Sequence, residues 1–430
     1  TSSSKGVDIQ AQTGAGLFYG VQTLLQMLTD RNKVAYGTII DEPRFEYRGM
    51  MLDVSRHFFG MDFVKKQIDA MAYYKLNRLH LHLTDAAGWR IEIKKYPRLT
   101  SFAAWRTGKD WKEWWNGDRG YCEETDPEAQ GGYYTKDDIR EMVEYARLHC
   151  VTIIPEIEMP SHSEEVLTAY PELSCTHEPG KQSDFCVGNE KTFEFLENVL
   201  TEVMELFPSE YIHIGGDEAS KAAWKSCPLC QKRMKEEGLK DVDELQSYLI
   251  HRMERFLNEH GRSLLGWDEI LQGGLAPNAT VMSWRGEQGG IDAVLSGHHA
   301  IMTPGEYCYF DSYQDAPYSQ PEAIGGYLPL EKVYSYNPVP DSISADKQDF
   351  ILGVQANLWA EYIPTDERME YMLYPRAIAL SEVAWTAPEK KSWDSFHERI
   401  LKIIPVLKEK GYNTFDYAKE IGNRKEYSQP

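Results

Sequence analysis

Two acids stand side by side in the stretch Tyr211-Ile212-His213-Ile214-Gly215-Gly216-Asp217-Glu218-Ala219. The run reads as a buried strand that leaves through two glycines into adjacent carboxylates. Side chains alternate along a strand, so neighbours in regular β geometry point to opposite faces. Asp217 and Glu218 can address one ligand only where the strand has ended and the backbone is turning, and Gly215-Gly216 supplies that freedom. Crowded carboxylates are costly unless solvated, paired or partly protonated, and paired acids are what glycosidic bond cleavage uses. The plain alternative is a solvated Asp-Glu at a helix start, where acids suit the dipole. The rest of the chain has to decide between them.

The elements that would position these acids recur regularly from about Arg44. Apolar strand-like runs fall at 48–54, 77–83, 151–157, 211–216, 263–267, 280–284, 299–303 and 352–358. Helical patterns separate most of them, at 62–74 with Asp62 as N-cap, 136–149, 191–206, 241–259, 287–296 and 366–384. Eight strands alternating with helices predict a parallel sheet closed into a (β/α)₈ TIM barrel. A doubly wound open sheet is the alternative, but it would need a phosphate-type glycine turn or a switch point, and no such fingerprint is present. Catalytic groups of a barrel sit at the carboxyl ends of its strands. Just past the strands stand Arg56, Asp85, Glu158 with His162, Asp217 with Glu218, Trp267, Trp284, Tyr309 with Asp311, and Trp359 with Glu361. Taken singly each is most simply structural; as a set at matching positions they suit a sugar. Three long loops fall on that face, at 100–135 with Trp105, Trp111, Trp114 and Trp115, at 158–190, and at 304–350. Long ordered loops are usually functional. The loop tryptophans would wall a leaving-group site or simply pack the loop onto itself.

Residues 1–42 offer one strand-like run, Val7 to Ala11, and one helix-like run, Gly16 to Leu28, with Val21, Leu24, Leu25 and Leu28 as its apolar stripe. One strand and one helix cannot close a core, so this segment is expected to be the tail of an upstream α/β domain, with the barrel occupying 43–430. The opening Thr1-Ser2-Ser3-Ser4-Lys5 has neither Met nor signal peptide and reads as a trimmed start.

A chain of 430 residues holds a large core, and its formal charge of −21 argues against nucleic acid and anionic membranes as partners. No apolar run approaches the length needed to span a bilayer. Its 11 Trp and 26 Tyr would serve sugar stacking or core packing alike. Seven cysteines are too few for a disulfide scaffold. Cys175 and Cys186 bracket a polar loop and could pair. Cys227-Pro228-Leu229-Cys230 suggests zinc only with a second pair, and the spacing shows none. A structural turn is the expectation there.

His80-Leu81-His82-Leu83-Thr84-Asp85 with Gly88-Trp89-Arg90, and then His213-Ile214-Gly215-Gly216-Asp217-Glu218, resemble the family 20 glycoside hydrolases, the β-N-acetylhexosaminidases. Arg48-Gly49 with Leu52-Asp53-Val54-Ser55-Arg56-His57, Gly266-Trp267-Asp268-Glu269, Val281-Met282-Ser283-Trp284-Arg285-Gly286 and Leu358-Trp359-Ala360-Glu361 fit as well. The resemblance runs from about residue 6 to residue 388. It implies substrate assistance, in which the 2-acetamido oxygen of the sugar attacks the anomeric carbon. It implies Glu218 as general acid and then base, Asp217 as the group orienting the acetamide, and Tyr309 as donor to the acetamide oxygen. Trp267, Trp284 and Trp359 would wall the N-acetyl pocket. Arg56 and Glu361 would hold the far hydroxyls with Asp311 beside the sugar, and Asp85 with His162 would support Glu218. No cofactor and no metal is implied, the substrate is an oligosaccharide or glycoconjugate with terminal β-linked GlcNAc or GalNAc, and the oligomeric state is left open. Work outside the cytoplasm is the expectation.

Elementary chemistry fits these roles. An oxazolinium-like intermediate carries positive charge that an ionised Asp217 would stabilise. Glu218 must begin the reaction carrying a proton, a state that burial or nearby carboxylates favour. A protein nucleophile would need a second carboxyl ~5–5.5 Å from the acid, which an adjacent Asp does not suit. The chain departs from the usual pattern at Ala86-Ala87, where an acid and Gln are usual, at Ser161 in place of Gly, and at Glu158 in place of Asp. Three alternatives remain open. His80 and His82 on one strand face are compatible with a metal-dependent barrel hydrolase, although Trp267 and Trp284 occupy the later ligand positions. A same-family enzyme releasing a disaccharide or a modified, for example sulfated, sugar is the second. A non-catalytic glycan-binding barrel is the third.

Overall fold

The computed structural model describes residues 1–28, 33–180 and 182–422. Eight strands close into a barrel: β1 Tyr47–Asp53, β2 Arg78–His82, β3 Thr152–Met159, β4 Tyr211–Gly215, β5 Ser263–Trp267, β6 Thr280–Ser283, β7 Ala300–Met302 and β8 Ile351–Leu358. Each pairs in parallel with its sequence neighbour, and β8 closes on β1 through the register Gly353↔Tyr47 to Leu358↔Leu52. The expected (β/α)₈ barrel is therefore the fold. The strands read as continuous apolar runs because both of their faces are covered. Tyr47, Ile154, Leu265, Met282 and Ile301 fill the interior beneath Trp267.

Helices wrap the outside where apolar residues recur at helical spacing. On Glu190–Leu206 the buried side is Phe193, Leu196, Val199, Leu200 and Val203. Lys136–Leu148 opens on a capping box between Thr135 and Asp138, and Val242–Glu259 on Asp241. Two helix expectations are corrected. The helix Met61–Tyr73 is preceded by Gly60 without a side-chain cap, and Asp62 lies in its first turn. The single run expected at 366–384 is two helices, Asp366–Leu373 and Arg376–Trp385, because Pro375 has no N–H to continue the first.

The N-terminal segment is smaller than expected. Only Gly6–Val7 of the strand-like run is a strand, paired with Ser2–Ser3. The helix Gly14–Met27 buries Tyr19 and Gln22, while Val21, Leu25 and Leu28 of the expected stripe are exposed. Tyr19 turns the helix toward the barrel because its ring packs on Trp385 at 5.4 Å and beneath the Arg48 guanidinium. Residues 423–430, the end of the expected barrel domain, lie outside the described residues.

The reading of the cysteines is also corrected. The second pair that Cys227 and Cys230 lack in sequence is supplied in space by Cys175 and Cys186, because the loop after β3 folds onto the segment after β4. No two of the four are bridged.

Candidate active site

β4 delivers the two acids through a sharp turn. Gly215 and Gly216 take φ of +73° and +94°, where a side chain would be strained. Space forbids one as well: a Cβ on Gly215 would sit 1.9 Å from Glu158 Oε2, and one on Gly216 would sit 2.6 Å from Ile270 Cγ2. The turn leaves Asp217 buried and Glu218, itself at φ +53°, with its side chain 57% exposed. Both still address one group. His162 Nε2 lies 3.0 Å from Glu218 Oε2 and 3.3 Å from Asp217 Oδ2. Glu218 is the exposed member of the two acids, and Asp217 the buried one.

Behind His162 stands Asp85, and four donors converge on it. His162 Nδ1 and the Ala86 N–H reach Oδ1 at 3.0 and 2.7 Å, while His82 Nε2 and Arg56 Nη2 reach Oδ2 at 2.8 and 3.0 Å. Burial opposes ionisation of Asp85, but Arg56 and then His162 outweigh it and hold its carboxyl well below the usual range. Burial likewise opposes an imidazolium at His162, yet Asp85 and Asp217 keep it protonated well above the ordinary histidine range. Asp217 is held below the usual carboxylate value because His162 overcomes its burial. Asp85 therefore acts through His162, and both of its oxygens are occupied.

Sequence reasoning missed the anion beneath this pair. Glu156 Oε2 accepts from His80 Nε2 at 2.7 Å and His82 Nδ1 at 2.6 Å, and Oε1 accepts from Trp267 Nε1 at 2.8 Å. The strand histidines thus hydrogen-bond to a carboxylate. Against the cost of burial, Glu156 and Asp85 push His82 up to about 10. Glu158, two residues on, is raised well above the usual range by burial and by Asp217 and Glu156, and so stays neutral beside them. The signal available in sequence was the i, i+2 spacing of Glu156-Ile157-Glu158 against His80-Leu81-His82 on the adjacent strand.

At the far end Arg56 Nη1 reaches Asp53 Oδ2 at 3.0 Å and Glu361 Oε1 at 3.4 Å, and its guanidinium lies 5.4 Å from the Trp359 ring. Asp53 was a motif residue without an expected role; it ties Arg56 to the strand end. Asp311 Oδ1 and Glu361 Oε2 are buried with no hydrogen-bond partner among the described residues, whereas Asp217 has the neutral Glu158 carboxyl beside it. Buried acceptors of this kind are costly unless a ligand donates to them.

Aromatic rings line the space between. Trp267 and Trp359 have centroids 5.7 Å apart, Trp359 and Tyr309 6.2 Å, and Tyr309 stacks on Trp284 at 6.1 Å and 9°. Trp284 is oriented by its Nε1–H, which donates to Glu269 Oε2 at 2.9 Å. The loop tryptophans divide. Trp114 is buried against Ala86 and Ala87, which explains small residues there, while Trp111 and Trp115 stack at 4.9 Å nearer the surface. The expected site residues thus lie in one cluster, Asp311 joining it through its charge interaction with Glu361 and Tyr309.

This charge arrangement sets a pH dependence of stability. Asp311 is pushed up to about 8 by burial and Glu361, Glu269 to about 7 by burial and Asp217, and Glu164 to about 7 by burial. Near neutrality each holds a proton that the unfolded chain releases, so stability falls as pH rises. His82 and His162, raised in the fold, act in the same direction above the ordinary histidine value of 6.5. His57 and His213, pushed down by burial to about 4 and about 3, act oppositely, but only below 6.5. The midpoint of thermal unfolding should therefore fall between pH 6.5 and about 8. Asp311→Asn should flatten that slope; an unchanged slope would remove Asp311 as a source.

Comparison with known proteins bears on this geometry. Residues 45–388 match the family model for the glycosyl hydrolase family 20 catalytic domain, and residues 1–42 match that for domain 2 of the same family. A beta-hexosaminidase of Porphyromonas gingivalis is 49% identical over 418 residues, covering 93% of this chain and 52% of that protein. One of Akkermansia muciniphila is 33% identical, covering 93% of this chain and 81% of that protein. The chain thus spans about half the length of the Porphyromonas relative, and 63% of a Vibrio furnissii one. A solved exo beta-N-acetylglucosaminidase from Vibrio harveyi, in complex with N-acetylglucosamine, aligns with a TM-score of 0.82 at 34% identity, covering 94% of this chain and 65% of that one. A beta-N-acetylhexosaminidase from Bacteroides fragilis aligns at 0.80 and 32% identity, covering 94% and 79%.

Proposed function

Because the chain belongs to glycosyl hydrolase family 20, we propose that it is an exo-acting, retaining β-N-acetylhexosaminidase removing terminal β-linked GlcNAc or GalNAc from glycans. The observation that carries this reading is the convergence of the buried Asp217 and the exposed Glu218 on His162, with the neutral Glu158 behind Asp217. An acetamide N–H donating to Asp217 would aim the acetamide oxygen at the anomeric carbon. Tyr309 would donate to the same oxygen. Carrying the nucleophile in the substrate makes attack unimolecular, which lowers the barrier by up to ~7–11 kcal/mol when geometry is ideal. Glu218, at the open side, would protonate the departing oxygen and then deprotonate the incoming water. His162, held as a cation by Asp85, would fix the orientation of Glu218.

The far end supports release of a single sugar. Arg56 is engaged by Asp53, Asp85 and Glu361, and the acceptors of Asp311 and Glu361 suit neutral hydroxyls. A sulfated sugar would bring an anion against the Asp53, Asp85 and Glu361 carboxylates that already engage Arg56. Glycans of this class are met outside the cytoplasm, so we place the protein's work there, which fractionation of the source cells would check.

The test is release of a chromogenic leaving group from an N-acetyl-β-glucosaminide. The matching β-glucoside, lacking the acetamide, should remain intact under the same conditions. Comparable turnover of that glucoside would end the substrate-assisted reading. Binding of the product without any turnover of the glucosaminide would leave only a glycan-binding barrel.

A further inference from the structure

We propose that Cys175, Cys186, Cys227 and Cys230 form a structural zinc site that clamps the loop carrying His162 to the segment carrying Asp217 and Glu218. Cys175 Sγ lies 3.8 Å from Cys230 Sγ, and Cys186 Sγ lies 3.7 Å from both Cys227 Sγ and Cys230 Sγ. All four sulfurs fall within 4.8 Å of one another. A tetrahedral Zn²⁺ with Zn–S of about 2.3 Å places its sulfurs about 3.8 Å apart. A disulfide would bring a pair to about 2.05 Å. The spacing is that of four ligands around one centre.

The surroundings fit a closed, non-catalytic site. Cys186, Cys227 and Cys230 are buried and Cys175 lies at the edge, which leaves an entry path on one side. Four thiolates fill the coordination sphere and leave no open position for substrate or water. Cys227 directly precedes the helix Pro228–Glu236, so the backbone of the Cys-Pro-Leu-Cys turn is fixed by Pro228 at the helix start. Gly188 allows the two segments to meet, since a Cβ there would sit 2.1 Å from the Leu229 carbonyl carbon and 2.2 Å from the Cys230 nitrogen. The same two segments are laced by Trp224 Nε1–H donating to the Phe185 carbonyl at 2.9 Å and by the Lys221 N–H donating to Asp184 Oδ2 at 2.8 Å.

The position gives the site its role. One pair of ligands lies on the loop that follows His162, and the other on the segment that follows Glu218. Those two residues meet across the catalytic cleft at 3.0 Å. A metal joining the segments behind them would hold that distance by coordination instead of by loop packing alone. Binding would also convert to folding stability, because the unfolded chain has no such preformed site.

The test needs no sugar. Protein isolated without reductant or chelator should contain one zinc per chain. After reduction and stripping, Co²⁺ should bind one to one with the thiolate charge-transfer and visible bands of a tetrahedral site. Zn²⁺ should bleach those bands and raise the Tm. Cys175→Ser should weaken binding, whereas Cys175→His, which supplies a metal donor but cannot form a disulfide, should keep it with shifted bands. Folded, reduced protein that shows no cobalt bands would overturn the proposal. So would the four cysteines isolated as two disulfides, or cobalt bands unchanged in Cys175→Ser.

Discussion

Asp217→Asn should lower kcat for the N-acetyl-β-glucosaminide by roughly 10²–10³-fold. The substitution keeps shape and removes charge. His162, 3.3 Å away, holds Asp217 ionised against its burial. That charge faces the position where an oxazolinium nitrogen would develop its positive charge. Asn would also present an N–H where the acetamide needs an acceptor, so the nucleophile itself is misdirected. Glu218→Gln should cost roughly 10²–10⁴-fold, but unevenly. A nitrophenolate departs with little help, whereas a sugar alkoxide needs the proton. The Glu218→Gln loss should therefore grow as the leaving group becomes more basic, and the Asp217→Asn loss should stay nearly constant. If both losses scale alike with the leaving group, the two acids do not divide the work in this way.

How much of this was legible in the chain differs from feature to feature. The strands were legible because central parallel strands read as apolar runs, and their closure followed from counting them. Asp217 and Glu218 were legible because two glycines break a strand immediately before them. Glu156 was not, because a charge inside a barrel strand makes sense only once His80 and His82 on the next strand are seen to bind it. The cysteine cluster was hidden for a related reason. Its pairs belong to different βα segments, and local spacing cannot report a contact made by two loops folding together. The exposed face of Gly14–Met27 was misread because helical periodicity finds a stripe without saying which stripe an aromatic such as Tyr19 turns inward. In each case the missing information was tertiary.

Arg56 is where that tertiary information predicts the second large effect. Three carboxylates share one buried guanidinium, at 3.0 Å for Asp53 and Asp85 and 3.4 Å for Glu361. Removing one partner of a buried ionic group costs about 3–5 kcal/mol, chiefly because the other charges are stranded. Arg56→Met should approach that loss in chemical denaturation. Asp53 and Asp85 would keep other donors, the Ala360 N–H at 2.9 Å for the first and His82 and His162 for the second. Among the described residues Glu361 has no ion-pair partner but Arg56, and its Oε2 is already without a hydrogen-bond partner there. Most of the cost should thus sit on Glu361. Arg56→Met combined with Glu361→Gln should then recover part of the lost stability while KM stays high, since the hydroxyl-binding end is gone in both. Arg56→Lys should not substitute, because a single ammonium cannot reach three acids in three directions. Equal stability of the single and double variants would mean that the stranded charge is not Glu361, and that Arg56 serves the barrel chiefly through Asp53.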